Sequence, residues 1–133
     1  MERRRRILLA DDDQVFLKSV GGFLQRHGYE VLTCQDGPTA LLKARSEKPD
    51  LAVVDLGMQS PSPTICPIFD GYTLMGWFRS MPETAGMPVI VLTGAESSDL
   101  HQRCILAGAA ATMHKPANMQ RLLSAIRIEL DEF

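Results

Sequence analysis

Three short apolar runs constrain this chain more than any other feature: Ile7-Leu8-Leu9-Ala10, Leu51-Ala52-Val53-Val54 and Val89-Ile90-Val91-Leu92. None of them alternates apolar with polar residues. A strand with one face in water would alternate, so these runs describe strands covered on both faces, as in a parallel sheet between two layers of helix. Tyr29-Glu30-Val31-Leu32-Thr33-Cys34 mixes the two residue classes and reads as an edge strand, and the weakly apolar Ala110-Ala111-Thr112-Met113-His114 reads as the opposite edge.

Helical patterns fill the intervals. Phe16, Val20, Phe23 and Leu24 form one apolar stripe, ended by Gly28. Gly37-Pro38 opens a second helix, with Leu41 and Ala44 facing inward, because proline suits a first helical turn. Leu74, Met75 and Phe78 belong to a third that starts near Asp70-Gly71. Ser97 or Ser98 caps a fourth, which carries Leu100, Cys104 and Ala107 and stops at Gly108; Asn118 caps the last. Strictly alternating strands and helices joined by right-handed crossovers give a doubly wound α/β sheet with helices on both faces. The one segment outside this rhythm is a loop of about residues 57–70, which contains three prolines and two serines. A loop this long in a compact domain is usually functional or mobile.

Several classes are disfavoured by composition. Fourteen basic against sixteen acidic residues leave a formal charge of −2, whereas a dedicated nucleic-acid binder carries a basic excess. The run Arg3–Arg6 is therefore read as a solvated lead-in to the first strand, with no direct nucleic-acid contact. Cys34, Cys66 and Cys104 are far apart and form no CxxC pair, which fits a reducing cytoplasm better than a disulfide or zinc framework. No apolar run approaches membrane-spanning length, and the arginine-rich start lacks the apolar core of a signal peptide.

In an open α/β sheet, ligands collect beyond the carboxyl ends of the strands, near the point where strand order reverses. The residues leaving the strands here are Asp11-Asp12-Asp13, Asp55, Thr93-Gly94 and Lys115-Pro116. Carboxylates crowded on one rim repel, and a hard divalent cation such as Mg²⁺ relieves that repulsion using few protein ligands plus water. A lysine and a threonine hydroxyl beside them suit an arriving phosphoryl group, whose oxygens they can hold. One carboxylate of the ring can then act as nucleophile and give an aspartyl phosphate.

The motifs stand in order as Leu9-Ala10-Asp11-Asp12-Asp13, Pro49-Asp50-Leu51-Ala52-Val53-Val54-Asp55, Asp70-Gly71, Pro88-Val89-Ile90-Val91-Leu92-Thr93-Gly94, Ala107-Gly108-Ala109 and His114-Lys115-Pro116. With this set the chain resembles the response-regulator receiver domains, the CheY-like family, over essentially its whole length. The resemblance implies a five-stranded flavodoxin-like sheet of order 2-1-3-4-5, with residues 1–133 as a single receiver domain and no output domain. It implies Asp55 as phosphoacceptor, taking its phosphoryl group from a sensor histidine kinase or a histidine phosphotransfer protein, and slow autodephosphorylation in place of conventional turnover. Mg²⁺ would be held by the side chains of Asp12 and Asp55 and the backbone carbonyl of Gly57, with Asp11 acting through water. Lys115 would pair with one phosphoryl oxygen and Thr93 with another, and the Lys115–Pro116 bond would be cis. The output would be an unidentified downstream protein or a dimer, met through the fourth helix, fifth strand and fifth helix, about Ser97 to Leu130.

Departures from the family pattern are equally specific. Gln59 stands where the family usually has proline, the loop before Asp70 is about eight residues longer than usual, and Thr112 replaces a common aromatic three residues before the lysine. Gly57 and Ala95 occupy two positions that commonly orient water for hydrolysis, and neither side chain can hydrogen-bond. A receiver that has lost phosphotransfer and serves as a binding module is the alternative. A phosphohydrolase of the haloacid-dehalogenase type would need a second aspartate at Gly57. Taken singly, Asp11–Asp13 could simply cap the first helix. His114 and His101 read as surface residues, Trp77 as undecided between core and surface, Cys66 as an ordinary thiol, and Ile65, Ile68 and Phe69 as a docking patch or a cover for the third helix.

Overall fold

A computed structural model of the chain describes residues 4–58, 70–94, 98–115 and 118–132. Five strands alternate with five helices: β1 (Arg6–Ala10), α1 (Gln14–Arg26), β2 (Glu30–Cys34), α2 (Gly37–Glu47), β3 (Leu51–Asp55), α3 (Gly71–Ser80), β4 (Val89–Thr93), α4 (Ser98–Leu106), β5 (Ala111–His114) and α5 (Met119–Glu129). All strand pairings are parallel, in the order β2-β1-β3-β4-β5. The doubly wound sheet and its strand order stand as expected from the sequence.

The uninterrupted apolar runs split by parity between the two faces. Ile7, Leu9, Leu51, Val53, Ile90 and Leu92 pack against Leu17, Val20 and Leu24 of α1 and Leu122, Leu123 and Ile126 of α5. Leu8, Ala10, Ala52, Val54, Val89 and Val91 pack on the other face, with Ala40 and Ala44 of α2, Leu74, Met75 and Phe78 of α3 and Cys104 of α4. Successive strand side chains point to opposite faces, so only a strand buried on both sides needs every residue apolar. The α1 stripe differs from expectation by one register position. Leu17 is buried, while Phe16 and Phe23 are half-buried at its margins. Trp77 resolves as a surface residue, 50% exposed.

Local chemistry sets the helix ends. Asp13, Asp36, Asp70 and Asn118 cap α1, α2, α3 and α5, each accepting a backbone N–H of the first turn, which a helix start leaves without an internal partner. Gly28 and Gly108 terminate α1 and α4 at φ +95° and +109°, a region costly for any residue with a Cβ. At the edge of the sheet remote from the strand carboxyl ends, the arginine run is charge-compensated. Arg6 pairs with Glu30 at 3.1 Å and Glu47 at 3.7 Å, and Arg5 lies 3.8 Å from Asp50. Among the described residues, no helix is long and apolar enough to cross a membrane.

Candidate functional site

The parallel register brings four distant segments to one rim. Ala10 is level with Val54, and Asp55 with Leu92, so Asp11 and Asp55 leave adjacent strands side by side. The Asp11 N–H donates to the Cys34 carbonyl at 3.0 Å, fixing the first residue beyond β1. Thr93 ends β4 level with His114, and its carbonyl accepts the Lys115 N–H at 2.7 Å. The rim lies where strand order reverses, between β1 and β3.

Three carboxylates converge there. Ligand oxygens of Asp11, Asp12 and Asp55 lie within 4.8 Å of one another. Asp11 is fully buried, Asp55 nearly so, and Asp12 is exposed at the mouth. Asp13 is not part of this cluster: its Oδ1 accepts the N–H groups of Val15 and Phe16 at 3.0 and 3.3 Å. The capping role available to all three aspartates thus falls to the third. Asp11 Oδ1 in turn accepts the Asp13 N–H at 2.9 Å.

Lys115 reaches into the cluster from the far side. Its Nζ lies 2.5 Å from Asp11 Oδ2, 3.6 Å from Asp55 Oδ2 and 4.6 Å from the centroid of the Phe16 ring. Burial works against the charged ammonium, but the hydrogen bond to Asp11 and the charges of Asp55 and Asp11 outweigh it and raise the lysine pKa. The Asp55 carboxyl is also pushed up, by burial first and then by the charges of Asp11 and Asp12. The Gly57 N–H, donating to Asp55 Oδ1 at 3.2 Å, and the Lys115 charge oppose that shift.

The start of α3 abuts the end of β3. Asp70 Oδ1 accepts the Thr73 N–H at 3.0 Å and the Thr73 hydroxyl at 3.2 Å, and the Gly71 N–H donates to the Leu56 carbonyl at 3.1 Å. A Cβ on Gly71 would lie 2.8 Å from Leu56 Cα and 3.2 Å from the Asp55 carbonyl oxygen. Gly71 is required by this close approach of two backbones.

A buried carboxylate crowded by two others, with every cluster ligand an oxygen, fits a hard divalent cation. Mg²⁺ binds oxygen at about 2.1 Å and completes its octahedron with water, so few protein ligands suffice. Four of the side chains expected at the site from the sequence, those of Asp11, Asp12, Asp55 and Lys115, come together in the structure. Thr93 borders the site at the end of β4. Pro116, Gln59, Ala95, Ser97, Cys66, Ile65, Ile68 and Phe69 lie outside the described residues.

Two contacts escaped the sequence reading. Phe16, which helical spacing places on the apolar stripe of α1, covers Lys115. His101 of α4, whose spacing places it at the surface, hydrogen-bonds through Nδ1 to the Thr112 hydroxyl of β5. Neither residue sits in a motif, and only an aromatic three residues beyond the acidic run hinted at the first.

The family model of the response regulator receiver domain matches residues 7–127. The chain is 32% identical over 122 residues to the transcriptional regulatory protein PrrA of Mycobacterium tuberculosis, covering 92% of this chain and 48% of PrrA. It therefore spans about half the length of this curated relative. A CheY-like receiver domain protein from Methanospirillum hungatei superposes with a TM-score of 0.83 at 31% identity, over 97% of this chain and 95% of that one. The receiver domain of the sensor histidine kinase PA1611 from Pseudomonas aeruginosa, solved with magnesium coordinated in its active site cleft, has the same fold at a TM-score of 0.83. Its identity is 23%, over 98% of this chain and all of that one.

Proposed function

The chain belongs to the response regulator receiver domain family, and from this premise we propose that it accepts a phosphoryl group on Asp55 and relays a two-component signal. The observation that carries the reading is the position of Asp55. Its carboxylate is buried among Asp11, Asp12 and Lys115, with Lys115 Nζ 3.6 Å away and not hydrogen-bonded to it.

A carboxylate oxygen of Asp55 attacks phosphorus, forming the acyl P–O bond as the P–N bond of a donor phosphohistidine breaks. The donor imidazole leaves with the electron pair and takes up a proton. Lys115 supplies a fixed positive charge to one phosphoryl oxygen, and the Thr93 hydroxyl donates to another. Asp12, Asp55 and the Gly57 carbonyl, with Asp11 acting through water, would hold Mg²⁺, which would supply charge neutralisation for the transferring group. The donors are a sensor histidine kinase or a histidine phosphotransfer protein. Phosphorylation then shifts the population of a protein-binding surface, since the added group binds one conformation better than the other.

Incubation of the chain with Mg²⁺ and acetyl phosphate, followed by intact-mass measurement, tests this. The expected result is one phosphoryl adduct, stable in acid, labile in base and absent from Asp55→Asn. Continuous turnover without an adduct would indicate a hydrolase. No reaction with either acetyl phosphate or a phosphohistidine donor would indicate a receiver used only for binding.

A further inference from the structure

Phe16 has no part in the steps above, yet its ring lies against the ammonium of the site, with its centroid 4.6 Å from Lys115 Nζ. About three quarters of the chain separates the two residues. Phe16 sits in the first turn of α1, where Asp13 Oδ1 accepts its N–H together with that of Val15. Asp13, the aspartate left out of the carboxylate cluster, thereby fixes the residue that covers the lysine.

The geometry around the ammonium shows what the ring does. A lysine side chain is flexible, with several rotatable bonds and three equivalent donors, so one partner does not fix where its charge sits. Asp11 Oδ2 holds Nζ on one side at 2.5 Å. The Phe16 ring covers another, and a cation on an aromatic face is attracted by the ring quadrupole, more strongly where water is thin. Lys115 is only 23% exposed, and Phe16 is packed against the cluster that contains Leu9 and Leu17. Nζ therefore remains 3.6 Å from Asp55 Oδ2, beyond hydrogen-bond distance and beside the oxygen to be phosphorylated.

We propose that Phe16 is a positioning residue for Lys115: its ring face confines the ammonium beside the acceptor carboxylate, so that the charge meets the phosphoryl group without first having to reorient. This deepens the acceptor reading and rests on it.

The test uses the full chain with Phe16→Leu, which keeps apolar bulk and removes the ring, and Phe16→Tyr, which keeps the ring face. Two quantities are read: the saturating rate of Asp55 phosphorylation by acetyl phosphate with Mg²⁺, and the NMR shifts of the Lys115 ε-methylene group without donor. The leucine variant is expected to lower the saturating rate about three- to tenfold, with the half-saturating Mg²⁺ concentration unchanged. It should also release the ring-current displacement of the ε-methylene signals. The tyrosine variant is expected to keep both wild-type properties.

A leucine variant with the wild-type rate, or a tyrosine variant as slow as leucine, overturns the proposal. An ε-methylene group without ring-current displacement in the wild-type chain overturns it even where no variant folds. A wild-type chain that takes up no phosphoryl group overturns the acceptor reading instead. The ε-methylene shifts then decide separately whether the ring holds the ammonium.

Discussion

Lys115 Nζ is hydrogen-bonded to Asp11 Oδ2 at 2.5 Å, so the lysine of the site is tethered to a buried carboxylate other than Asp55, the proposed phosphoryl acceptor. Removing the ammonium leaves Asp11 with the Asp13 N–H but without its counter-charge. Removing one partner of a buried ion pair costs about 3–5 kcal/mol, and the partial exposure of Lys115 places this pair near the lower end. Lys115→Met is therefore expected to lower unfolding free energy by that amount without divalent ions, and added Mg²⁺ to restore part of it. Urea denaturation with and without Mg²⁺ measures both.

Asp55 makes the opposite contribution. Burial and the charges of Asp11 and Asp12 raise its pKa above the unfolded value, so the folded state holds the proton more tightly. The corresponding stability is present below the unfolded carboxyl range and is lost as pH rises through the folded pKa. Asp55→Asn keeps the side chain neutral throughout. It is expected to raise stability near neutral pH by roughly 1 kcal/mol, about 3 °C in Tm for a chain of this size. The advantage should shrink in acid. Thermal melts across pH in a chelator decide this, and a variant with no advantage at neutral pH counts against it.

At Gly71 the constraint is purely steric. A Cβ there meets Leu56 Cα at 2.8 Å, and backbone cannot yield as a flexible side chain does. Gly71→Ala is expected to push the start of α3 away from β3, at a cost of about 1–3 kcal/mol, and to weaken Mg²⁺ binding because Asp55 moves with it. Gly76→Ala, on the open face of α3 with nothing within 4 Å, is the control and should be neutral or slightly stabilising.

The legible part of this molecule is the part that chemistry repeats. Runs such as Val89–Leu92 announce burial on both faces, and the parallel register then brings the strand-end residues Asp11, Asp55 and Lys115 together. What stayed hidden depends on which neighbour a side chain meets across the fold. Leu17 and Phe16 are adjacent and both apolar, and helical spacing alone could not assign one to the core and the other to the lysine. Similarly, three successive aspartates divide into a buried lysine partner, an exposed cluster member and a helix cap only once the backbone turns between β1 and α1.

Gly57 leaves open space beside Asp55, the proposed acceptor. Its N–H donates to Asp55 Oδ1 at 3.2 Å, and an added Cβ would stand 3.9 Å from the same oxygen, an ordinary contact. A side chain introduced there lies beside the Asp55 carboxylate, where the proposed phosphoryl group would sit, without disturbing the backbone. Gly57→Asn is therefore expected to change the lifetime of the Asp55 adduct several-fold by orienting or excluding water, with little change in Tm. The decay of the phosphorylated protein, followed by intact mass, reads this directly. Identical decay in both proteins would show that position 57 does not govern hydrolysis.

The hydrogen bond between His101 Nδ1 and the Thr112 hydroxyl ties α4 to β5 at the position where the family often carries an aromatic side chain. α4 presents exposed apolar residues, Ile105 and Leu106, and is held from the other side by buried Cys104, half-buried Leu100 and the Arg103 guanidinium 5.0 Å over the Tyr72 ring. Those contacts all face α3 and the core, so the tie to Thr112 adds a separate attachment to β5 that should contribute to how readily the helix opens. A side-chain hydrogen bond contributes about 0.5–1.5 kcal/mol, which is roughly a two- to twelvefold change in local opening. Thr112→Val keeps the branched shape and removes the hydroxyl, so amide exchange along Ser98–Leu106 is expected to accelerate within that range. Exchange in β1 and β3 should stay unchanged. His101→Ala should give the same acceleration, and the double variant no more than either single one, because both changes remove one interaction. Additive effects would show that the two residues hold α4 independently, and would remove the tie as the element coupling α4 to β5.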